Sequence, residues 1–152
     1  MRNLKPILLV EDDRVDAMTF KRTLDELSIK NPVVHSLNGE EALEYLRSDG
    51  NEEPCFIFLD LNMPKMNGIE FLKIVKADNV LRKIPVVVLT TSDNERDIIE
   101  SFEFGVAGYM VKPADYREFV EAIRTVNLYW SLSKLPSTGA NHERYEVHNP
   151  AN

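Results

Sequence analysis

Five short apolar runs, at positions 6–10, 33–37, 55–59, 85–90 and 108–111, are separated by longer stretches in which apolar residues return with helical spacing. This alternation constrains the fold more than any other feature of the chain. Parallel strands cannot be joined by tight turns and need a crossover, usually a helix, so alternating strand and helix periods predict a parallel sheet flanked by helices. The third and fourth runs read CFIFL and PVVVLT. A strand covered on both faces has no solvent side, so near-continuous apolar runs of this kind belong at the centre of the sheet. The second and fifth runs are the weaker ones.

Each helical stretch opens on a residue able to accept a hydrogen bond from free backbone N–H groups, with an acid three places on. The pairs are Asp13 with Asp16, Asn38 with Glu41, Asn67 with Glu70, Ser92 with Glu95, and Asp115 with Glu118. Strands and caps together predict a (βα)5 unit, and right-handed crossovers favour a doubly wound α/β sheet. The flavodoxin-like order 2-1-3-4-5 is one common solution for five strands, and pattern alone does not choose it. A chain of 152 residues supplies one compact core, not two. Helical period fades near Ser131 into polar sequence carrying Pro136, Gly139 and Pro150. We therefore expect one domain over residues 1–130 and a C-terminal extension over 131–152, too short for a separate output domain.

The chain carries 25 acidic against 18 basic residues, a formal net charge of -7, and such a surface repels phosphate backbones and anionic membranes. Nucleic acid and membrane are not expected partners. The single cysteine, Cys55, cannot form an intrachain disulfide. The apolar run behind Arg2 and Lys5 is far shorter than a signal core or a membrane span of roughly 18 residues. A cytoplasmic location is the expectation.

In an open α/β sheet, ligands collect beyond the carboxyl ends of the strands. The first run is followed by Glu11, Asp12 and Asp13, and the third by Asp60; the fourth ends on Thr90 and Thr91, and the fifth is followed by Lys112 and Pro113. Converging carboxylates repel one another, so such a cluster requires a cation or bound protons. Oxygen ligands with no histidine close by point to hard Mg²⁺, which takes one or two protein carboxylates and keeps positions for water and phosphate oxygens. Lys112 adds a second positive charge. A cation, an ammonium, a hydroxyl and a free carboxylate are what phosphoryl transfer requires, with Asp60 as nucleophile and an acyl phosphate as product. Taken singly, each residue has a plainer reading: Asp13 as a helix cap, Thr90 or Lys112 as a surface residue. Their joint placement carries the argument.

The stretches LLVEDD at 8–13, FLDLNMPKMNG at 58–68, PVVVLTTS at 85–92 and GYMVKP at 108–113 resemble, in order and spacing, the receiver domains of bacterial two-component response regulators, and the likeness covers about the first 125 residues. The resemblance implies that Asp60 is the phosphoacceptor. It implies that Asp60, Asp12 and the backbone carbonyl of Asn62 coordinate Mg²⁺ directly, with Glu11 acting through water, and that Thr90 and Lys112 contact the phosphoryl oxygens. Many receivers have two aspartates where this chain has Glu11 and Asp12. The peptide between Lys112 and Pro113 is expected to be cis. Tyr109 stands at the aromatic switch position, whose ring moves inward when Thr90 is drawn toward the phosphoryl group. A partner face on helix 4, strand 5 and helix 5, over residues 94–126, is implied as well. Such a protein is a signalling phosphoacceptor and not an enzyme, assisting only its own phosphotransfer and autodephosphorylation.

Within the family the chain most resembles single-domain regulators paired with phytochrome-type histidine kinases, so a kinase of that type is the expected partner. The last helical stripe, Phe119, Ile123, Val126 and Trp130, followed by Leu132 and Leu135, outlasts the receiver core. A tryptophan there either folds back on its own domain or anchors an interface, and a homodimer through helix 4, strand 5, helix 5 and the extension is the favoured expectation. Three other readings fit less well. An aspartate-dependent phosphatase would place a second acid two residues after the nucleophile, where this chain has Asn62. A flavin or nucleotide binder would need a loop rich in Gly, Ser or Thr where this one reads EDDRVD. A degenerate receiver acting as a scaffold would lack site residues that are all present.

Overall fold

The computed structural model describes residues 4–132. Along the chain it forms β1 (Ile7–Val10), α1 (Arg14–Glu26), β2 (Val33–Ser36), α2 (Gly39–Arg47), β3 (Phe56–Leu59), α3 (Gly68–Ala77), a 3-10 turn (Leu81–Lys83), β4 (Val86–Thr90), α4 (Glu95–Glu103), β5 (Gly108–Val111) and α5 (Tyr116–Leu132). All strand pairings are parallel, in the order β2-β1-β3-β4-β5. This is the flavodoxin-like doubly wound sheet, with each strand where its apolar run predicts it. β1, β3 and β4 are buried throughout, whereas β2 and β5 form the half-exposed edges.

Alternation along the strands sends neighbouring residues to opposite faces and builds two cores. Leu8, Val10, Ile57, Leu59, Val86 and Val88 pack on one face with Phe71, Leu72 and Val75 of α3 and Ala42 and Leu43 of α2. Ile7, Leu9, Phe56, Phe58, Val87 and Leu89 pack on the other against Phe20 and Leu24 of α1 and Phe119 and Ile123 of α5. Aromatic rings concentrate on this second face: Phe20 meets Phe58 edge-on at 4.9 Å between centroids, and Phe56 meets Phe58 at 5.3 Å. Each large side chain so buried contributes about 1.5–3 kcal/mol.

Four of the five expected caps hold. Asp13, Asn38 and Asn67 accept from backbone N–H groups at the starts of α1, α2 and α3, the last in a reciprocal capping box with Glu70, and Asp115 accepts from the Glu118 N–H at α5. Ser92 is not the cap of α4. Its hydroxyl donates to Asp97 and accepts from the Asn94 N–H, a turn that leaves Asn94 to cap the helix two residues later. The Lys112–Pro113 peptide is trans, against the expectation from resemblance; trans is the ordinary preference of an X–Pro bond, by about 0.5–1 kcal/mol.

The stripe on α5 lands on its own domain. Val126 and Trp130 are half-buried against the aromatic core, and the Trp130 ring stacks on Phe56 at 5.8 Å with 21° between planes. Leu128 and Tyr129 beside it are exposed. Leu135 and the rest of the extension from residue 133 lie outside the described residues. Among the described residues, no helix is long and apolar enough to cross a membrane.

Candidate functional site

β1 and β3 lie side by side although β2 comes between them in sequence, so the chain leaves β1 and β3 in opposite senses and opens a crevice beyond their carboxyl ends. The site residues stand one step past their strands, where the backbone is still held by the ladder. The Glu11 N–H donates to the Ser36 carbonyl, the Asp60 N–H to the Val10 carbonyl and the Lys112 N–H to the Thr90 carbonyl. Main-chain pairing thereby fixes where each side chain begins. A glycine completes the seat: a Cβ at Gly68 would fall 2.6 Å from the Asp60 carbonyl oxygen, so only glycine lets the start of α3 close against the end of β3.

The spacing places Glu11, Asp12 and Asp60 together, and so does the fold: one carboxylate oxygen from each lies within 4.8 Å of the others. Glu11 and Asp60 are buried and Asp12 is exposed. Lys112 stands on the same side. Its ammonium is 2.6 Å from Glu11 Oε1, 2.8 Å from Asp16 Oδ2 and 3.9 Å from Asp60 Oδ2. Asp60 Oδ1 accepts weakly from the Asn62 N–H at 3.4 Å. Burial pushes the Glu11 carboxyl up to about 7; the Lys112 hydrogen bond opposes this, and the Asp60 charge adds to it. For Lys112, burial acts downward, but the bonds from Asp16 and Glu11 and the charge of Asp60 outweigh it and raise its pKa.

Three carboxylates thus lie within 3.9 Å of one ammonium, and Asp12 adds a fourth to the cluster. A divalent cation is the group that this donor set fits: it offsets the surplus negative charge and binds oxygen. A histidine does approach, contrary to the expectation of none nearby, but His35 Nε2 sits 2.7 Å from the Glu11 backbone carbonyl and adds no nitrogen to the cluster.

Thr90 is fully buried, and its hydroxyl accepts from the Ser92 N–H at 3.4 Å. The hydroxyl of Tyr109 donates to the Ser92 carbonyl at 2.8 Å. Thr90, the β4–α4 loop and the ring of Tyr109 are therefore linked through one residue. Asp16 is the site residue that sequence reasoning missed. It reads as an acid of the first helical turn, and its N–H does bond Asp13, but its carboxylate turns to Lys112. Nothing in its place in the first turn of α1 pointed to a partner 96 residues away.

Residues 7–124 match the sequence model of the response regulator receiver domain. Response regulator Rcp1 of Synechocystis sp. (strain PCC 6803) is 36% identical over 130 residues, spanning 83% of this chain and 88% of its own. The structure of its Mn²⁺-bound form superposes with a TM-score of 0.80 at 35% identity, covering 88% of this chain and 99% of that one. The phosphorylated cyanobacterial phytochrome response regulator RcpA gives 0.83 at 36%, covering 89% of this chain and all of that one. The bacteriophytochrome response regulator RtBRR gives 0.69 at 39%, covering 96% of this chain and 93% of its own. With the strand order and the acidic crevice already pointing the same way, the chain belongs to the receiver domain family of two-component response regulators and serves as a phosphoacceptor in signalling.

Proposed function

We propose that Asp60 is the residue phosphorylated. The observation that carries this is its position: a buried carboxylate in a shared cation site, 3.9 Å from a lysine ammonium. A carboxylate oxygen of Asp60 attacks the phosphorus of a kinase phosphohistidine; the P–N bond breaks, the imidazole leaves and takes up a proton, and an acyl phosphate remains. Lys112 and the Thr90 hydroxyl then meet the new phosphoryl oxygens. Asp12, Asp60 and the Asn62 carbonyl would hold the cation directly and Glu11 through water, and Mg²⁺ suits these oxygen donors. When bound, the ion offsets negative charge on the transferring group. Water attack on the acyl phosphate reverses the modification, so the protein assists its own dephosphorylation.

Switching follows from differential contact, because Thr90 and Lys112 have a phosphoryl partner only in the modified state. Tyr109, tied to the same loop, reports the shift to α4, β5 and α5. Exposed Ile99, Phe102 and Val111 support this face as the partner or homodimer surface, and exposed Leu128 and Tyr129 extend it along α5. Residues 1–130 act as the receiver, with 131–152 as an extension contributing to the dimer. The likeness to phytochrome response regulators supports a cytoplasmic histidine kinase of phytochrome type as the donor.

Acetyl phosphate with Mg²⁺ should add one phosphoryl group by intact mass, and Asp60→Asn should abolish it. Labelling that persists in the variant moves the acceptor elsewhere. Phosphotransfer compared across histidine kinases, a phytochrome among them, tests the donor.

A further inference from the structure

We infer that Asp16 is a positioning residue: it holds the Lys112 ammonium on the α1 side of the site and thereby opposes the phosphorylated state. This rests on the reading of Asp60 as the phosphoacceptor. The Lys112 side chain is only 12% exposed, yet its two short contacts, at 2.6 and 2.8 Å, go to Glu11 and Asp16, while Asp60 stands at 3.9 Å, beyond hydrogen-bond range. Glu11 belongs to the cation cluster, whereas Asp16 does not. Its contact with Lys112 is therefore available to be given up.

The open space beside the ammonium lies on the Asp16 side. Lys112 borders a cavity of about 250 Å³ between α1 and the start of α5, lined also by Asp16, Thr19, Phe20, Tyr116 and Phe119. When oxygens are added at Asp60, Lys112 has a choice between a doubly charged phosphoryl group and Asp16. Whatever free energy the Asp16 contact supplies in the unmodified protein is withdrawn from the modified one. Asp16 also anchors Lys112 to α1, so the register of that helix is felt at the phosphorylation site.

The test uses beryllofluoride, an inert phosphoryl analogue, titrated against the full chain at saturating Mg²⁺. Wild type, Asp60→Asn, Asp16→Asn and Asp13→Asn are compared by calorimetry. Asp13→Asn removes the same charge from the same helix start while keeping a competent cap. Asp16→Asn should bind the analogue tighter by on the order of threefold to tenfold, the size of coupling between contacting charged groups. Asp13→Asn should stay within about twofold of wild type. A role confined to supporting α1 would weaken binding or leave it unchanged. The inference is overturned if Asp16→Asn binds no tighter than wild type, or if Asp13→Asn tightens binding equally. Failure of wild type to bind, or binding retained by Asp60→Asn, instead overturns the phosphoacceptor reading beneath it.

Discussion

Helices α3 and α4 are neighbours of similar length, and the fold treats them differently. α3 starts in a capping box and buries Gly68, Phe71, Leu72 and Val75. α4 buries a single side chain, Ser101, and leaves Ile99 and Phe102 exposed. Both α4 ends are nevertheless well made. Asn94 caps the first turn, and Gly105, at a φ of 82°, closes the last with bonds from Gly105 N–H to Phe102 and from Val106 N–H to Ser101. α4 is thus a complete helix with a shallow seat. The helix that packs under the end of β3, where Asp60 sits, is fixed by its core, whereas the one that follows Thr90 is held chiefly by its caps. Elements that reposition during switching are drawn from the weakly packed end of a structure.

Core truncation should break this comparison most visibly. Phe71→Ala should cost about 3–5 kcal/mol, the range for deleting a buried phenyl ring. Phe102→Ala, at an exposed position, should stay within about 0.5 kcal/mol of wild type. Urea unfolding of the two variants measures both. Comparable losses would mean that α4 is seated as firmly as α3.

A smaller effect belongs to the carboxylates at the rigid end. Burial holds Glu11 protonated up to about pH 7, and a cation favours the ionised form. Cation affinity should therefore rise with pH, by about tenfold between pH 6 and 8 for a group titrating midway. Without metal the sign reverses for stability. The folded pKa of Glu11 lies above its ordinary value of 4.5, so its contribution is full below that pH and is lost as pH rises to about 7. Mg²⁺ titrations at several pH values, repeated with Glu11→Gln, check this: the variant should flatten the profile, and an unchanged slope would assign it to another group.

The rigid end was also the legible one. Strands announce themselves through β-branched runs, and Glu11, Asp60 and Lys112 stand one step beyond them, so the ladder that fixes each strand fixes the residue as well. Where side chains pair across long separations, sequence is silent. Asp16 meets Lys112 from 96 residues away, and Trp130 could have faced a partner until Phe56 was placed beneath it. The start of α4 misled for a local reason. Ser92, Asp93 and Asn94 are all competent caps, and the choice fell to Asn94 because the Ser92 hydroxyl is engaged by Asp97.

Ser101 offers the finest test. Its Oγ is buried and has no hydrogen-bond partner among the described residues. A hydroxyl left unsatisfied away from water costs about 1–3 kcal/mol, and serine is also a poorer helix former than alanine by a few tenths of a kcal/mol, roughly. Ser101→Ala removes both penalties without adding volume, so it should stabilise the protein by about 1 kcal/mol. If α4 opens separately from the rest of the fold, hydrogen exchange should slow at α4 amides and hardly change at those of α3. A uniform slowing would show that the two helices open together, and the contrast drawn from their packing would then have no dynamic counterpart. Selective slowing would instead mark Ser101 as a built-in weakness of α4.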